Sequence, residues 1–242
     1  MTYCIGILLN DGVLFGSDSC TNAGVDNFAK FCKMTTFERP GERVIVLLSS
    51  GNLSGTQAII SRLKQRTEET GSEPNMHTAR TMFDVAGLVA DGIREFGRRD
   101  GPHLSGTDGG FNASFIVGGQ IQGEPPRLFR VYAEGTFIEA GTDTPFLQTG
   151  EAKYGKPILD RVITPSTTLS DATKCVLVSF DSTMRSNLSV GMPIDLLCYE
   201  RDSLVVRMRR RFDQGDPYFT SLSKEWGEGV RSAFRHLPQL EW

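Results

Sequence analysis

Three residues near the start of the chain have the types and order from which a nucleophile can be built. They are Thr2, directly behind Met1, Asp18 in GVLFGSDS, and Lys33 in AKFCKMTTF. A threonine at position one of a mature chain can attack a carbonyl with its own α-amine as the base. That amine titrates near about 7.7 to 8.0, so part of it is free base at neutral pH, and a nearby cation lowers the value further. No histidine is required, but Met1 must leave, because the Thr2 nitrogen of an unprocessed chain is an amide. A desolvated Lys33 paired to a carboxylate would be a fixed positive charge beside the amine and hydroxyl. Each residue also has a plain reading: a small second residue, a strand-end turn carboxylate and a solvated edge cation.

Rival chemistries are weaker. Gly150 to Pro157 (GEAKYGKP) nearly satisfies a phosphate-cradling loop, but Pro157 stands where the magnesium-binding hydroxyl belongs and Glu151 would repel phosphate. His77, His103 and His236 are the only histidines, and none lies beside a G-x-S-x-G elbow, which argues against a serine triad. The five cysteines, Cys4, Cys20, Cys32, Cys175 and Cys198, form no C-x-x-C pair, and carboxylates do not cluster at metal-ligand spacing. No metal and no organic cofactor is expected.

The elements that must position these residues follow from patterning. Tyr3 to Leu9 and Val13 to Gly16 are apolar runs joined by Asn10-Asp11-Gly12, a tight-hairpin signal that returns the Asp18 end toward Thr2. Met34 to Glu38 and Arg43 to Ser49 read as a second strand pair, and RVIVLLSS is apolar without alternation, as a strand buried on both faces is. Helical spacing follows over Leu53 to Glu69 and Thr78 to Arg98, then a Gly-rich loop over Asp100 to Gly110. Asn112 to Gly118, Arg127 to Tyr132 and Gly135 to Ala140 form a meander. Leu147 to Val162 and Leu169 to Arg185 read as helices, Pro193 to Tyr199 and Leu204 to Arg209 as a hairpin, and Tyr218 to Phe234 as a terminal helix.

Blocks of strands alternating with blocks of helices favour an α+β fold with antiparallel sheets stacked between helix layers over a βαβ arrangement. With 242 residues and no linker-like break, one domain over 1–242 is the simplest expectation. Hydrophobic residues at 39%, charged residues at 23% and a net charge of -3 place the chain among ordinary globular proteins, with no electrostatic reason to bind nucleic acid or an anionic membrane. The basic cluster Arg207, Arg209, Arg210 and Arg211 reads as a solvated or subunit-facing stripe. Without a signal peptide or membrane span in the sequence, a cytoplasmic protein is expected.

Thr2 ahead of a strand, GVLFGSDS, Lys33 ahead of another strand, and LLSSGNLSGTQ with Gly51 opening a helix together resemble the β-subunit pattern of proteasome-type N-terminal nucleophile (Ntn) hydrolases. TNAGVDNFAKFCKM and the long C-terminal extension resemble the bacterial ancestral β-subunit, or Anbu, group within it. The resemblance is ordered over the first seventy or so residues and diffuse afterwards. It implies a four-layer αββα sandwich and a cytoplasmic threonine peptidase or amide hydrolase acting on a peptide or amide substrate. It implies Thr2 as nucleophile, Lys33 as the tuning cation, Asp18 as its holder and the Gly51 N–H facing the oxyanion, with Thr21 and Ser49 lining the substrate pocket. It also implies a homo-oligomer, ring-like or helical, and leaves room for an ATPase or other accessory partner. Supporting hydroxyls correspond to Thr149 and to Ser186 with Ser189, where the family pattern has a serine and, in the second motif, an aspartate. That departure weakens the orientation of the amine. A self-assembling structural or binding subunit with a blocked site, or a non-peptide amidase or acyltransferase on the same scaffold, are the alternatives.

Overall fold

The computed structural model describes residues 2–22, 28–69, 74–104 and 111–241. Its elements run β1 (Tyr3–Leu9), β2 (Gly12–Asp18), β3 (Cys20–Asn22), β4 (Phe28–Lys30), β5 (Met34–Arg39), β6 (Arg43–Gly51), α1 (Leu53–Glu68) and α2 (Met82–Leu104). There follow β7 (Ala113–Ile121), β8 (Arg127–Val131), β9 (Phe137–Glu139), β10 (Phe146–Gly150), α3 (Lys156–Val162), α4 (Leu169–Ser186), β11 (Ile194–Glu200), β12 (Met208–Phe212) and α5 (Pro217–Arg235).

Two five-stranded antiparallel sheets carry the fold. One has the order β10-β1-β2-β11-β12 and the other β5-β6-β7-β8-β9, with β3-β4 as a separate two-stranded ribbon. Three buried apolar layers define the stack. Ile45, Leu47, Phe115 and Val117 pack against Val85, Val89 and Ile93 of α2. Cys4, Val13, Phe15, Val44, Val46, Leu48 and Ile116 fill the space between the sheets. Tyr3, Ile5, Ile7 and Leu14 pack against Val176, Leu177 and Phe180 of α4. This is the α+β sandwich the residue pattern implies: helices, sheet, sheet, helices. The β6 residues alternate between the first and second layers, so both faces of RVIVLLSS are buried, which accounts for its unbroken apolar run.

Several boundaries differ from the sequence expectation. Leu147 to Val162 is not one helix: Phe146–Gly150 is strand β10, and only Lys156–Val162 is helical. Gly150 has φ +83, outside the helical region, and Tyr3↔Gly150 pairing recruits the segment to the edge of β1. Residues 100–104, expected in a loop, extend α2; 105–110 lie outside the described residues. The second strand of the late hairpin begins at Met208 rather than Leu204, where φ is +45. No helix among the described residues is long and apolar enough to cross a membrane. The terminal helix α5 leaves Val230 and Phe234 exposed.

Candidate functional site

The register of β1 with β2 pairs Cys4 with Ser17, so Asp18 ends its strand beside the residues that open β1. Asp18 is fully buried, and its Oδ1 accepts two hydrogen bonds: from the Tyr3 backbone N–H at 2.9 Å and from Lys33 Nζ at 2.8 Å. Lys33 is buried, and its ammonium also donates to the Cys20 carbonyl at 2.6 Å. One carboxylate oxygen therefore stands between the lysine nitrogen and the peptide nitrogen that directly follows Thr2. Burial pushes the Asp18 carboxyl above its ordinary range, while the Lys33 cation and the Tyr3 N–H pull it back.

Lys33 is held from its main chain as well. Its carbonyl accepts from the Ser49 N–H at 2.9 Å and lies 3.4 Å from the Ser49 hydroxyl. Ser49, expected along a substrate pocket, is buried and fastens the lysine to the end of β6. Two residues on, Gly51 has φ +108, and a Cβ built there would fall 2.1 Å from the Asn112 carbonyl oxygen. Only glycine fits that approach of β6 to β7 without strain. The half-buried Thr2 is anchored by its carbonyl, which accepts from the Glu151 N–H at 2.7 Å. Gly150 makes this possible, since a Cβ there would lie 1.9 Å from the Thr2 oxygen.

Thr2, Asp18, Lys33 and Ser49 are thus brought together, with Gly51 at the adjoining strand end. Thr21 lies in β3 next to Cys20, and its side chain falls outside the described residues, as does Met1. Thr149 is buried, with its hydroxyl 2.6 Å from that of Ser114. Ser186 is the exposed last residue of α4, and the Ser189 N–H donates to Asn187 Oδ1 at 2.9 Å. Asn187 Nδ2 in turn donates to Glu151 Oε2 at 3.0 Å. The link from this loop to Thr2 runs through Glu151, a residue that the sequence motifs passed over. A carboxylate between Gly150 and Ala152 had a sequence signal only as a rejected phosphate loop.

Asp195 was also missed. It is 4% exposed in β11, accepts from the Ser19 hydroxyl at 2.6 Å and binds Arg211 through two bonds, Nε to Oδ1 at 2.8 Å and Nη2 to Oδ2 at 2.7 Å. Its signal was a charge inside the apolar strand IDLLCY, where burial demands a partner. Arg211 accordingly pairs with Asp195 across the ladder while its side chain stays in the exposed arginine stripe of β12. Among the described residues no group of three or more His, Cys, Asp or Glu could hold a metal ion.

Two facing antiparallel sheets between helix layers, with a threonine one residue before the first strand and a buried Lys–Asp pair beside it, place the chain in the class of proteasome-like Ntn-hydrolase folds. Anbu (Gly-1) mutant from Hyphomicrobium sp. strain MC1 is 47% identical, with 100% of each chain covered and a TM-score of 0.94. Anbu (ancestral beta-subunit) from Yersinia bercovieri is 45% identical, with 99% of each chain covered and a TM-score of 0.93. The structure described as the helical assembly of the Anbu complex from Pseudomonas aeruginosa is 48% identical, covering 99% of this chain and 98% of that one, with a TM-score of 0.93. No protein-family model and no curated protein matches the chain. The chain belongs to the Anbu, or ancestral β-subunit, family.

Proposed function

We propose that the chain is an N-terminal threonine amide hydrolase of peptide-like substrates, working as one 242-residue β-subunit-like unit within a homo-oligomer. The observation that carries this reading is the buried Lys33–Asp18 pair, shared with the Tyr3 N–H and so fixed next to Thr2. Once Met1 has left, the Thr2 Oγ1 attacks the amide carbonyl and its proton passes to the Thr2 amine. The Lys33 cation keeps that amine unprotonated near neutral pH, and Asp18 keeps Lys33 in place. The Gly51 N–H stabilises the tetrahedral oxyanion. Collapse breaks the C–N bond, the amine returns its proton to the leaving nitrogen, and water hydrolyses the ester left on Thr2. No cofactor is invoked. A homo-oligomer is supported by the helical assembly of the Pseudomonas aeruginosa relative and by the exposed apolar side chains of α5.

The exposed face of α5 also favours a second reading, a subunit whose assembly is its function and whose nucleophile stays blocked by Met1. Intact mass before and after an epoxyketone, which bonds to both hydroxyl and free amine of one threonine, separates the two. An adduct on Thr2 that is lost in Thr2→Ala supports the hydrolase. A chain that retains Met1 and gains no adduct favours the structural subunit, and a chain beginning at Thr2 that gains none refutes the nucleophile.

A further inference from the structure

The two chain segments that carry Asp18 and Lys33 meet a second time, away from the ion pair. Ser19 follows Asp18, and Cys32 precedes Lys33. The Ser19 hydroxyl donates to Asp195 Oδ2 at 2.6 Å, and Cys32 Sγ lies 3.6 Å from that same oxygen. The Ser19 main chain closes the arrangement: its N–H donates to the Pro193 carbonyl at 2.8 Å and its carbonyl accepts from Phe31 N–H at 3.0 Å. Asp195 cannot itself swing, because Arg211 on the neighbouring strand grips both of its oxygens. Arg211 Nη2 also reaches to 3.4 Å from the Ser19 hydroxyl.

We propose that Asp195, Arg211 and Ser19 are positioning residues of the Thr2 site, a clasp that holds the Asp18-bearing turn and the Lys33-bearing segment in register so that the ammonium stays beside the Thr2 amine. The inference rests on the reading that Lys33 tunes that amine. The charges of Asp195 and Arg211 balance each other, so the clasp fixes geometry without offsetting the Lys33 charge. The bidentate geometry is one that arginine makes and lysine cannot. Burial alone would raise the Asp195 carboxyl, but its bonds to Arg211 and Ser19 hold it below the ordinary range, so it stays ionised through the pH span in which an α-amine titrates.

The test is a titration of the Thr2 amine, read from the Cα and Cβ shifts of Thr2 in 13C-threonine-labelled full-length chain released from a cleavable fusion so that it begins at Thr2. Among the described residues, the titratable and charged groups on the elements packed about Thr2 are Asp18 from β2, Cys32 and Lys33 from the segment before β5, Cys4 from β1, Glu151 after β10, Asp195 from β11 and Arg211 from β12. In Asp195→Asn the two accounts differ in sign. Removing a nearby negative charge lowers the amine midpoint by direct electrostatics, whereas releasing the clasp lets Lys33 move away and raises it, by about half a pH unit or more. Ser19→Ala removes the bond to Asp195 and the longer one from Arg211 Nη2, leaves Asp195 paired to Arg211 and is expected to raise the midpoint less; Arg211→Lys should fall between wild type and Asp195→Asn. A midpoint that falls or stays in both Asp195→Asn and Ser19→Ala, while Lys33→Met raises it, overturns the clasp and leaves the hydrolase reading standing. A midpoint that Lys33→Met does not move removes the tuning role of Lys33, and the clasp with it.

Discussion

Asp18→Asn and Lys33→Met weigh the buried pair directly. The Asp18 side chain has no exposed surface and that of Lys33 only 6%, so each single substitution leaves the other partner without compensation. In Asp18→Asn the amide oxygen can still accept from the Tyr3 N–H and Lys33 Nζ, but the ammonium loses its counter-charge. Asp18 Oδ2 accepts no hydrogen bond among the described residues, so the new Nδ2 becomes a buried donor without an acceptor. Breaking one side of a buried ion pair costs about 3–5 kcal/mol, whereas replacing both charges is often close to neutral. The double variant should cost no more than either single, which gives a coupling of about 3 kcal/mol or more. Urea denaturation of the four proteins followed by circular dichroism, at one protein concentration and pH 7, measures it. Single effects that simply add, with coupling under about 0.5 kcal/mol, refute the reasoning. The pH dependence supplies a second check. Burial already holds the Asp18 carboxyl above its ordinary range, and Lys33→Met removes the cation that opposes this. Folded Asp18 then binds its proton up to a higher pH than the unfolded chain, where aspartate titrates near about 3.9. The Lys33→Met penalty must therefore be smallest below about pH 4 and grow as pH rises through the folded-state value. A penalty that is flat across that window contradicts the pairing.

Gly51→Ala forces a Cβ against the Asn112 carbonyl at a φ of +108, and should destabilise the fold by about 2 kcal/mol or more while slowing adduct formation on Thr2. Denaturation and intact-mass kinetics check this, and an unchanged adduct rate would separate Gly51 from the site. Asn52→Ala removes the side chain that accepts from the Gly55 N–H at 3.0 Å and caps α1; a loss of about 1 kcal/mol is expected, with Asn52→Asp close to wild type in the same denaturation assay.

Much of the fold was legible because its signals are local. The Asp11-Gly12 turn fixes the first hairpin, and the unbroken apolar run of β6 announces burial on both faces. β10 and α3 read as one helix in the sequence because Leu147, Ile158, Leu159 and Val162 satisfy helical spacing, while the break between them depends on Gly150 pairing with Tyr3 from far away in sequence. The same distinction divides the site. Asp18 and Lys33 were recognisable from their order near Thr2. Glu151, Asn187 and Asp195 were not, because each reaches the site through a ladder or loop contact more than 130 residues from Thr2, which no local pattern encodes.

The ion pair also has a location that patterning could not supply. Asp18 and Tyr3 belong to the sheet containing β1 and β2, whereas Lys33 leads into β5 and is tied by its carbonyl to Ser49 of β6, in the other sheet. Cys4 Sγ, 3.6 Å from the Ser49 carbonyl, spans the same gap. The 2.8 Å bond between Lys33 and Asp18 therefore closes one end of the sandwich, and its length depends on how far apart the middle layer of Phe15, Val46, Leu48 and Ile116 holds the two sheets. Because close-packed interiors transmit strain, a change of volume in that layer is felt at the pair although none of those side chains supplies a polar atom to it. The apolar layer between the sheets is in this sense part of the site: it sets the separation across which the two charges meet.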